Sequence, residues 1–235
     1  MNKEALIAYA GTLAHRKKVD AALSLIERAL DSAENWYVAF SGGKDSTVTL
    51  DLVRRLRPGI PAVWSDGEFW LPETGEYMTR MKEMGLELHQ LAARSRHSSF
   101  FTAHAESDLL RVDYCNERWQ GAFVGVRANE SSDRRKMLRA HGQLFYGKNR
   151  RQYQAYPVAW WTVYDIWGYI HARGIDYNRA YEKMEAMGVG IEQSRIGPMA
   201  VERVLQYGQM VIFKKGWPEL YEKFAKRYPE ADRWI

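Results

Sequence analysis

The sequence predicts an α/β protein: a parallel five-stranded sheet sandwiched by helices, with a helical C-terminal extension. Three observations carry this. Short apolar runs alternate with longer stretches of helical periodicity from residue 36 to about 140. Strands that alternate with helices form parallel sheets covered on both faces. A Gly-Gly pair sits between the first apolar run and the helix after it, and from residue 140 onward the alternation gives way to helical and aromatic sequence.

Taken in order, residues 3–31 read as helical, with Ala5, Leu6, Ala8, Tyr9 and Leu13 on one apolar face and Ala21, Leu23, Leu25, Ile26 and Leu30 on another. Trp36–Phe40 is the first strand. Asp45–Leu56 is a helix closed by Arg57-Pro58-Gly59. Ile60–Ser65 is the second strand, ending at Asp66-Gly67. Pro72 opens a helix that runs to Met84, where Gly85 stops it. Leu86–Leu91 is the third strand, Ser98–Leu110 a helix, Gly121–Val126 the fourth strand and Glu130–Ala140 a helix. Residues 141–154 are polar, aromatic and basic without clear periodicity. Tyr156-Pro157-Val158 is read as the last strand, and Trp161–Ala172 as a helix capped by Thr162. Further helices are expected at Tyr177–Met187, Ser194–Tyr207 and Pro218–Tyr228. This gives an α/β unit over residues 1–175 and a helical extension over 176–235.

Composition narrows the class. The chain has 235 residues, enough for one sizeable core. No apolar run approaches the ~20 residues of a membrane span, and the first residues do not form a signal peptide's apolar centre. A cytoplasmic protein is the default expectation. A net charge of +5 fits anionic partners such as nucleotides or nucleic acid, and equally a solvated basic face. The single cysteine, Cys115, excludes an intrachain disulfide and any all-cysteine iron–sulfur or zinc site. A lone cysteine is more often a small buried hydrophobe than a nucleophile. The six histidines show no metal-ligand spacing.

The residues Ser41-Gly42-Gly43-Lys44-Asp45-Ser46-Thr47 lie between strand and helix. A tight glycine turn there points backbone N–H groups and a helix N-terminus at an anion. Ser41, Ser46 and Thr47 add hydroxyls, and Lys44 adds a mobile charge. The loop is not a Walker loop, because Val38 stands where that pattern needs glycine and Asp45 where it needs Ser or Thr. A plain glycine turn before a helix is the bland alternative.

The loop resembles the S-G-G-x-D-S pyrophosphate (PP) loop of the adenine nucleotide α-hydrolase group, which holds the ATP pyrophosphatases and the phosphoadenylylsulfate (PAPS) reductases. Three further segments resemble the PAPS reductase family. Asp66-Gly67 with Pro72-Glu73-Thr74 is similar to its D-T-G-x-x-F-P-E-T segment after a one-residue insertion. Gly125-Val126-Arg127 through Glu130-Ser131 to Arg134 is similar to G-[IV]-R-x-x-E-S-x-x-R. The segment from Pro157 through Trp161, Asp165, Ile166, Trp167 and Tyr169 to Ile170 is similar to its aromatic stretch, and Gly174-Ile175-Asp176-Tyr177-Asn178 echoes the G-[IL]-P-Y-N that follows, with Asp176 in place of the proline.

The resemblance implies a Rossmann-like sheet and an adenine nucleotide, ATP or PAPS. It implies phosphate contacts from Ser41, Gly42, Gly43, Lys44, Asp45, Ser46, Thr47, Asp66, Gly125, Arg127, Glu130 and Ser131. The catalytic candidates are Lys44, Asp45, Arg127 and Arg134. Mg²⁺ is expected with ATP, with Asp45 and Asp66 as candidate ligands. The residues add their own reading: Glu130 can pair with Arg134 at i,i+4, leaving Arg127 to offer a planar fork to phosphate or sulfate. A surface salt-bridged helix start is the alternative. Glu73 reads either as part of the site or as a first-turn helix acid, the tryptophans as core, and Tyr177 and Asn178 as residues that can line the site.

The resemblance breaks at the thiol. PAPS reductases form a thiosulfonate on a cysteine in a C-terminal E-C-G-[LI]-H tail, and no cysteine follows position 115 here. Pyrophosphate-releasing adenylyl chemistry is therefore the leading expectation. A PAPS reductase using Cys115 in trans or a partner's thiol remains open, as does a non-catalytic nucleotide- or nucleic-acid-binding module. The basic run Arg134-Arg135-Lys136, Arg139, Lys148, Arg150 and Arg151, interleaved with Phe145, Tyr146 and Tyr153, suits nucleic acid, an acidic co-substrate or plain solvation.

Overall fold

The computed structural model describes residues 2–66, 69–92, 112–196 and 207–229. The N-terminal helical region is two helices rather than one, α1 (Lys3–Ala10) and α2 (Leu13–Ser32). The break falls at Gly11-Thr12, where the Thr12 side chain caps the His15 amide. The chain then runs β1 (Trp36–Ala39), α3 (Lys44–Leu56), β2 (Ala62–Asp66), α4 (Pro72–Glu83) and β3 (Leu88–Ala92). After a helical run at 112–116 come β4 (Gly121–Val124), a single 3-10 turn (Ala128–Glu130) and α5 (Ser132–His141). Then follow β5 (Leu144–Gly147), β6 (Gln152–Ala155), α6 (Val163–Arg173), α7 (Ala180–Ala186), α8 (Tyr207–Gly216) and α9 (Pro218–Arg227).

The sheet among the described residues has six strands, not five, in the order β3-β2-β1-β4-β6-β5. All neighbours are parallel except β5 against β6. The expected last strand at Tyr156–Val158 is not one; its place is taken by the β5–β6 hairpin inside the stretch that showed no periodicity. Two strands of four residues each leave little alternation to read. The turn between them carries no glycine, and Arg151 takes the positive φ of 51° that usually advertises one. The fourth strand stops at Val124, and α5 starts at Ser132, whose preceding Ser131 caps the Arg134 amide. The expected Ser98–Leu110 helix lies outside the described residues. Residues 194–196 are not helical, 197–206 are not among those described, and Tyr207 begins α8 instead of ending a helix.

Alternation along the strands builds a core on each face. Trp36 and Val38 of β1 and Phe123 of β4 join α3 and α6 residues such as Val48, Leu52, Ile166 and Ile170. Tyr37 and Ala122 point the other way, into a smaller cluster with Val63 and Cys115. The C-terminal helices have their own cluster, with Met184, Met210, Phe213, Trp217 and Phe224 packed around Leu71. Glu73 of α4 accepts the Trp217 indole N–H at 2.9 Å and pairs with Lys183 at 3.5 Å, tying that cluster to the sheet. Among the described residues, no helix is long and apolar enough to cross a membrane.

Candidate active site

Strand order places the site. β1 and β4 are neighbours whose connections run to opposite sides of the sheet, from β1 toward β2 and from β4 toward β5 and β6. Such a switch point opens a crevice at the strand ends, where ligands of open α/β sheets bind. The residues after β1 (41–47) and after β4 (125–131) flank that crevice, and Asp66 closes β2 on the same rim.

Local chemistry shapes the loop. Gly42 has φ +70°, and a Cβ there would sit 2.9 Å from the Met78 methyl. Gly43 then takes an extended φ of −79° as the N-cap of α3. Ser46 Oγ donates to the Gly43 carbonyl at 2.9 Å and lies 3.2 Å from Ser41 Oγ, closing the turn. Thr47 Oγ1 meets the Tyr77 hydroxyl at 3.2 Å, and Tyr77 in turn donates to the Asp176 carbonyl. The backbone N–H groups of Gly42, Asp45 and Ser46 carry no hydrogen bond within the described residues. The first turn of α3 thus presents orphan donors at the positive end of its dipole.

Gly125 is at the site for a steric reason. A Cβ on it would lie 2.7 Å from both the Asp45 carbonyl carbon and the Ser46 nitrogen. Only glycine lets the chain leaving β4 press against the first turn of α3. That approach brings Arg127 onto Asp45.

The charges form one buried chain. Arg127 (6 % exposed) donates from Nε to Asp45 Oδ1, and Lys44 Nζ lies 3.3 Å from Asp45 Oδ2. Lys44 (2 % exposed) also donates to the Ser194 carbonyl at 3.1 Å, and its amide donates to the Tyr181 hydroxyl at 2.9 Å. Burial pushes the Tyr181 phenol far above its usual range, with the Asp45 charge adding to it, so Tyr181 stays a neutral acceptor. Glu130 accepts the Arg127 amide at 2.9 Å and pairs with Arg134 across one helical turn. The terminal nitrogens of Arg127 keep no protein partner among the described residues, so its fork remains available.

Ser41, Gly42, Gly43, Lys44, Asp45, Ser46 and Thr47 therefore meet Gly125, Arg127 and Glu130 in one place. Ser131 serves α5 as its cap, and Arg134 acts through Glu130 at a more exposed position. Both Asp45 oxygens already hold cations. Asn178 is fully buried and donates to Thr74 Oγ1 at 2.8 Å, while the Tyr177 hydroxyl donates to Glu182. Tyr181, Ser194 and Tyr77 went unread in the sequence. They reach the loop from 30 to 150 residues away through a hydroxyl or a carbonyl, and no local pattern marks such a contact. Cys115 is buried in the small cluster with Tyr37 and Val63.

A glycine loop at a switch point, with a lysine and an arginine fork beside it, marks an α/β protein of the PP-loop kind. Residues 35–200 match the phosphoadenosine phosphosulfate reductase domain family, and the chain belongs to it. It is 27 % identical over 199 residues to sulfate adenylyltransferase subunit 2 of Alkalilimnicola ehrlichii, covering 70 % of this chain and 66 % of that one. It is 26 % identical over 172 residues to phosphoadenosine 5′-phosphosulfate reductase of Xanthomonas euvesicatoria, covering 64 % and 67 %. It is also 27 % identical over 232 residues to the uncharacterized protein MJ0066 of Methanocaldococcus jannaschii, where the match covers 84 % of this chain and 44 % of that one. The fold superimposes on Candida glabrata FMN adenylyltransferase in complex with ATP with a TM-score of 0.57 at 14 % identity, covering 71 % of this chain and 58 % of the other.

Proposed function

We propose that the protein binds ATP or a related adenine nucleotide and cleaves it between the α- and β-phosphates, transferring an adenylyl group. The carrying observation is the donor set of the loop, the amides of Gly42, Asp45 and Ser46, which carry no hydrogen bond among the described residues, beside the Arg127 terminal nitrogens, which likewise keep no protein partner there. In this reading the amides and Lys44 hold the β- and γ-phosphates. Lys44 gives up the Ser194 carbonyl for a phosphate oxygen. The Arg127 fork faces the α-phosphate, and Asp45 keeps both cations aimed.

An acceptor oxygen attacks the α-phosphorus, the bond to the bridging oxygen breaks, and pyrophosphate leaves with the electron pair. The acceptor's proton passes to water. Preorganised donors stabilise the charge that collects on the leaving group. Mg²⁺ suits such a site, because it binds mainly through phosphate oxygens and water with one or two carboxylates. With both Asp45 oxygens engaged, the protein ligand falls to Asp66. The ion would neutralise the phosphate oxygens.

Sulfite-releasing reduction is the second reading, favoured by the likeness to a PAPS reductase but not by the burial of Cys115. Incubation with α-labelled ATP, Mg²⁺ and candidate acceptors distinguishes them. Release of pyrophosphate with labelled AMP or adduct supports adenylyl transfer. Sulfite release from PAPS with intact ATP overturns it.

A further inference from the structure

A hydrogen-bonded trio on the other face of the sheet takes no part in the nucleotide reading. His89 of β3 stands in register with Val63 of β2, so it shares the face on which Tyr37, Val63 and Cys115 cluster, opposite α3. Glu87, two residues earlier, projects to the same face. Tyr114 reaches that face from the helical run at 112–116. His89 Nδ1 lies 2.8 Å from the Tyr114 hydroxyl, and His89 Nε2 lies 2.9 Å from Glu87 Oε1. The Trp119 ring meets the imidazole edge-on at 5.0 Å and lies 6.0 Å from the Tyr114 ring. Arg118 sets its guanidinium 3.8 Å over the Tyr114 ring and donates to the Tyr114 carbonyl at 3.1 Å. Glu87 is exposed, and Tyr114 and His89 are half-buried.

An ionised carboxylate only accepts, so Glu87 draws the imidazole proton to Nε2. Nδ1 then keeps a lone pair, and the Tyr114 hydroxyl donates to it. A hydroxyl within hydrogen-bond reach of a base, which a third group orients, is the arrangement that activates an oxygen nucleophile. Other tyrosines of the chain differ. Tyr9, Tyr169 and Tyr177 donate to carboxylates and Tyr77 to a backbone carbonyl, both weaker bases than an imidazole. A contact that only fastens Tyr114 works with such acceptors, as it does for those four, and needs no carboxylate behind the ring. The Arg118 guanidinium lies close enough to attract the charge that gathers on the phenol as its proton leaves.

We propose that Tyr114 is a nucleophilic tyrosine that takes up a phosphoryl group, with His89 as its base and Glu87 positioning the imidazole. The phenol oxygen attacks phosphorus and an O–P bond forms. The bond from phosphorus to the leaving group breaks, the leaving group departs with its electron pair, and the phenol proton passes to His89 Nδ1. Phosphoryl is the class that fits a lasting modification, because phosphate monoesters are among the slowest species to hydrolyse unaided. The trio lies three residues short of Asp66 along the β2–β3 pair, on the face away from α3, and does not depend on the nucleotide site.

The test is reaction of the full chain with diisopropyl fluorophosphate, in which fluoride is the leaving group, followed over time by peptide mass spectrometry. Tyr146 is the reference within the same protein, since it is 52 % exposed and its hydroxyl carries no hydrogen bond among the described residues. A positioned base contributes about 10²–10⁴-fold, and half-burial slows access, so Tyr114 should still be labelled at least about tenfold faster than Tyr146. H89A should bring Tyr114 to the Tyr146 rate or below, and added imidazole should restore Tyr114 labelling without changing Tyr146. E87Q keeps the shape and loses the charge, so Tyr114 labelling should fall severalfold; E87D, shorter but charged, should retain more of it than E87Q. Circular dichroism reports folding, and where H89A fails to fold the two Glu87 variants decide. Tyr114 labelled no faster than Tyr146, unchanged labelling in H89A, no rescue by imidazole, or equal rates in E87Q and E87D each overturns the proposal.

Discussion

Replacing Asp45 with asparagine should destabilise the protein by more than an ordinary polar substitution. The residue is 8 % exposed, and its carboxylate stands between Arg127 Nε and Lys44 Nζ, the latter at 3.3 Å. At an effective dielectric near 20, one unit charge pair at that separation interacts by about 5 kcal/mol before desolvation is counted. Asparagine keeps the volume and removes the charge, which strands two buried cations. Breaking a buried pair by removing one partner costs about 3–5 kcal/mol. R127M leaves Asp45 its second partner in Lys44, so it should cost less, about 1–3 kcal/mol. Urea unfolding followed by circular dichroism, on D45N, R127M and the double variant, reads all three. The double variant should lose at least ~1 kcal/mol less than the two singles combined, because contacting residues couple. A D45N protein within about 0.5 kcal/mol of the parent, or strict additivity, would refute the buried charge chain.

Three other outcomes follow from the packing around the site and the helices. G125A puts a methyl 2.7 Å from the backbone of Asp45 and Ser46, and overpacking of about 1–3 kcal/mol should lower the melting temperature by about 2–10 °C and weaken ATP binding; unchanged values in calorimetry would contradict the close approach. N178A leaves the Ala180 amide and Thr74 hydroxyl without their buried partner, which should cost about 1–3 kcal/mol in urea unfolding, whereas a neutral result would place Asn178 in solvent. Asp165 links α6 to the N-terminal helices: burial alone would raise its carboxyl, but hydrogen bonds from Lys18, Thr162 and Tyr9 outweigh that and hold it below 3.8. Its folded pKa lies under the unfolded one, so its stabilisation is complete above the unfolded value and is lost as pH falls below 3.8 through the folded pKa. Urea midpoints at pH 5 and pH 3 should therefore differ less in D165N than in the parent; equal differences would remove the role given to Asp165.

Much of the fold was legible because each central strand ends on something local. Phe40 runs into Ser41-Gly42-Gly43, Ser65 into Asp66, and the fourth run, read to Val126 although the strand ends at Val124, into Arg127. Those stops mark carboxyl ends, and parallel pairing brings them to one rim. Thr162 was readable as a cap because a hydroxyl three residues before Asp165 builds a reciprocal box. The hairpin was not readable, since buried Gln152 and Gln154 look polar in sequence; Gln152 is satisfied by the Trp119 carbonyl, a partner 33 residues away. In the site, the i,i+4 spacing of Glu130 and Arg134 showed their pairing. The Arg127–Asp45 contact spans 82 residues and exists only because Gly125 lets two segments touch. Sequence supplied the donors; packing decides which of them stay free.

The central claim is that loop 41–47 takes the phosphate tail of an adenine nucleotide. Titration calorimetry of ATP with Mg²⁺ into the parent protein and into K44A tests it directly. The account predicts saturable one-to-one binding to the parent and at least about a tenfold weaker dissociation constant for K44A, the loss of one charge-assisted contact. No binding to the parent, or the same affinity in K44A, would contradict it.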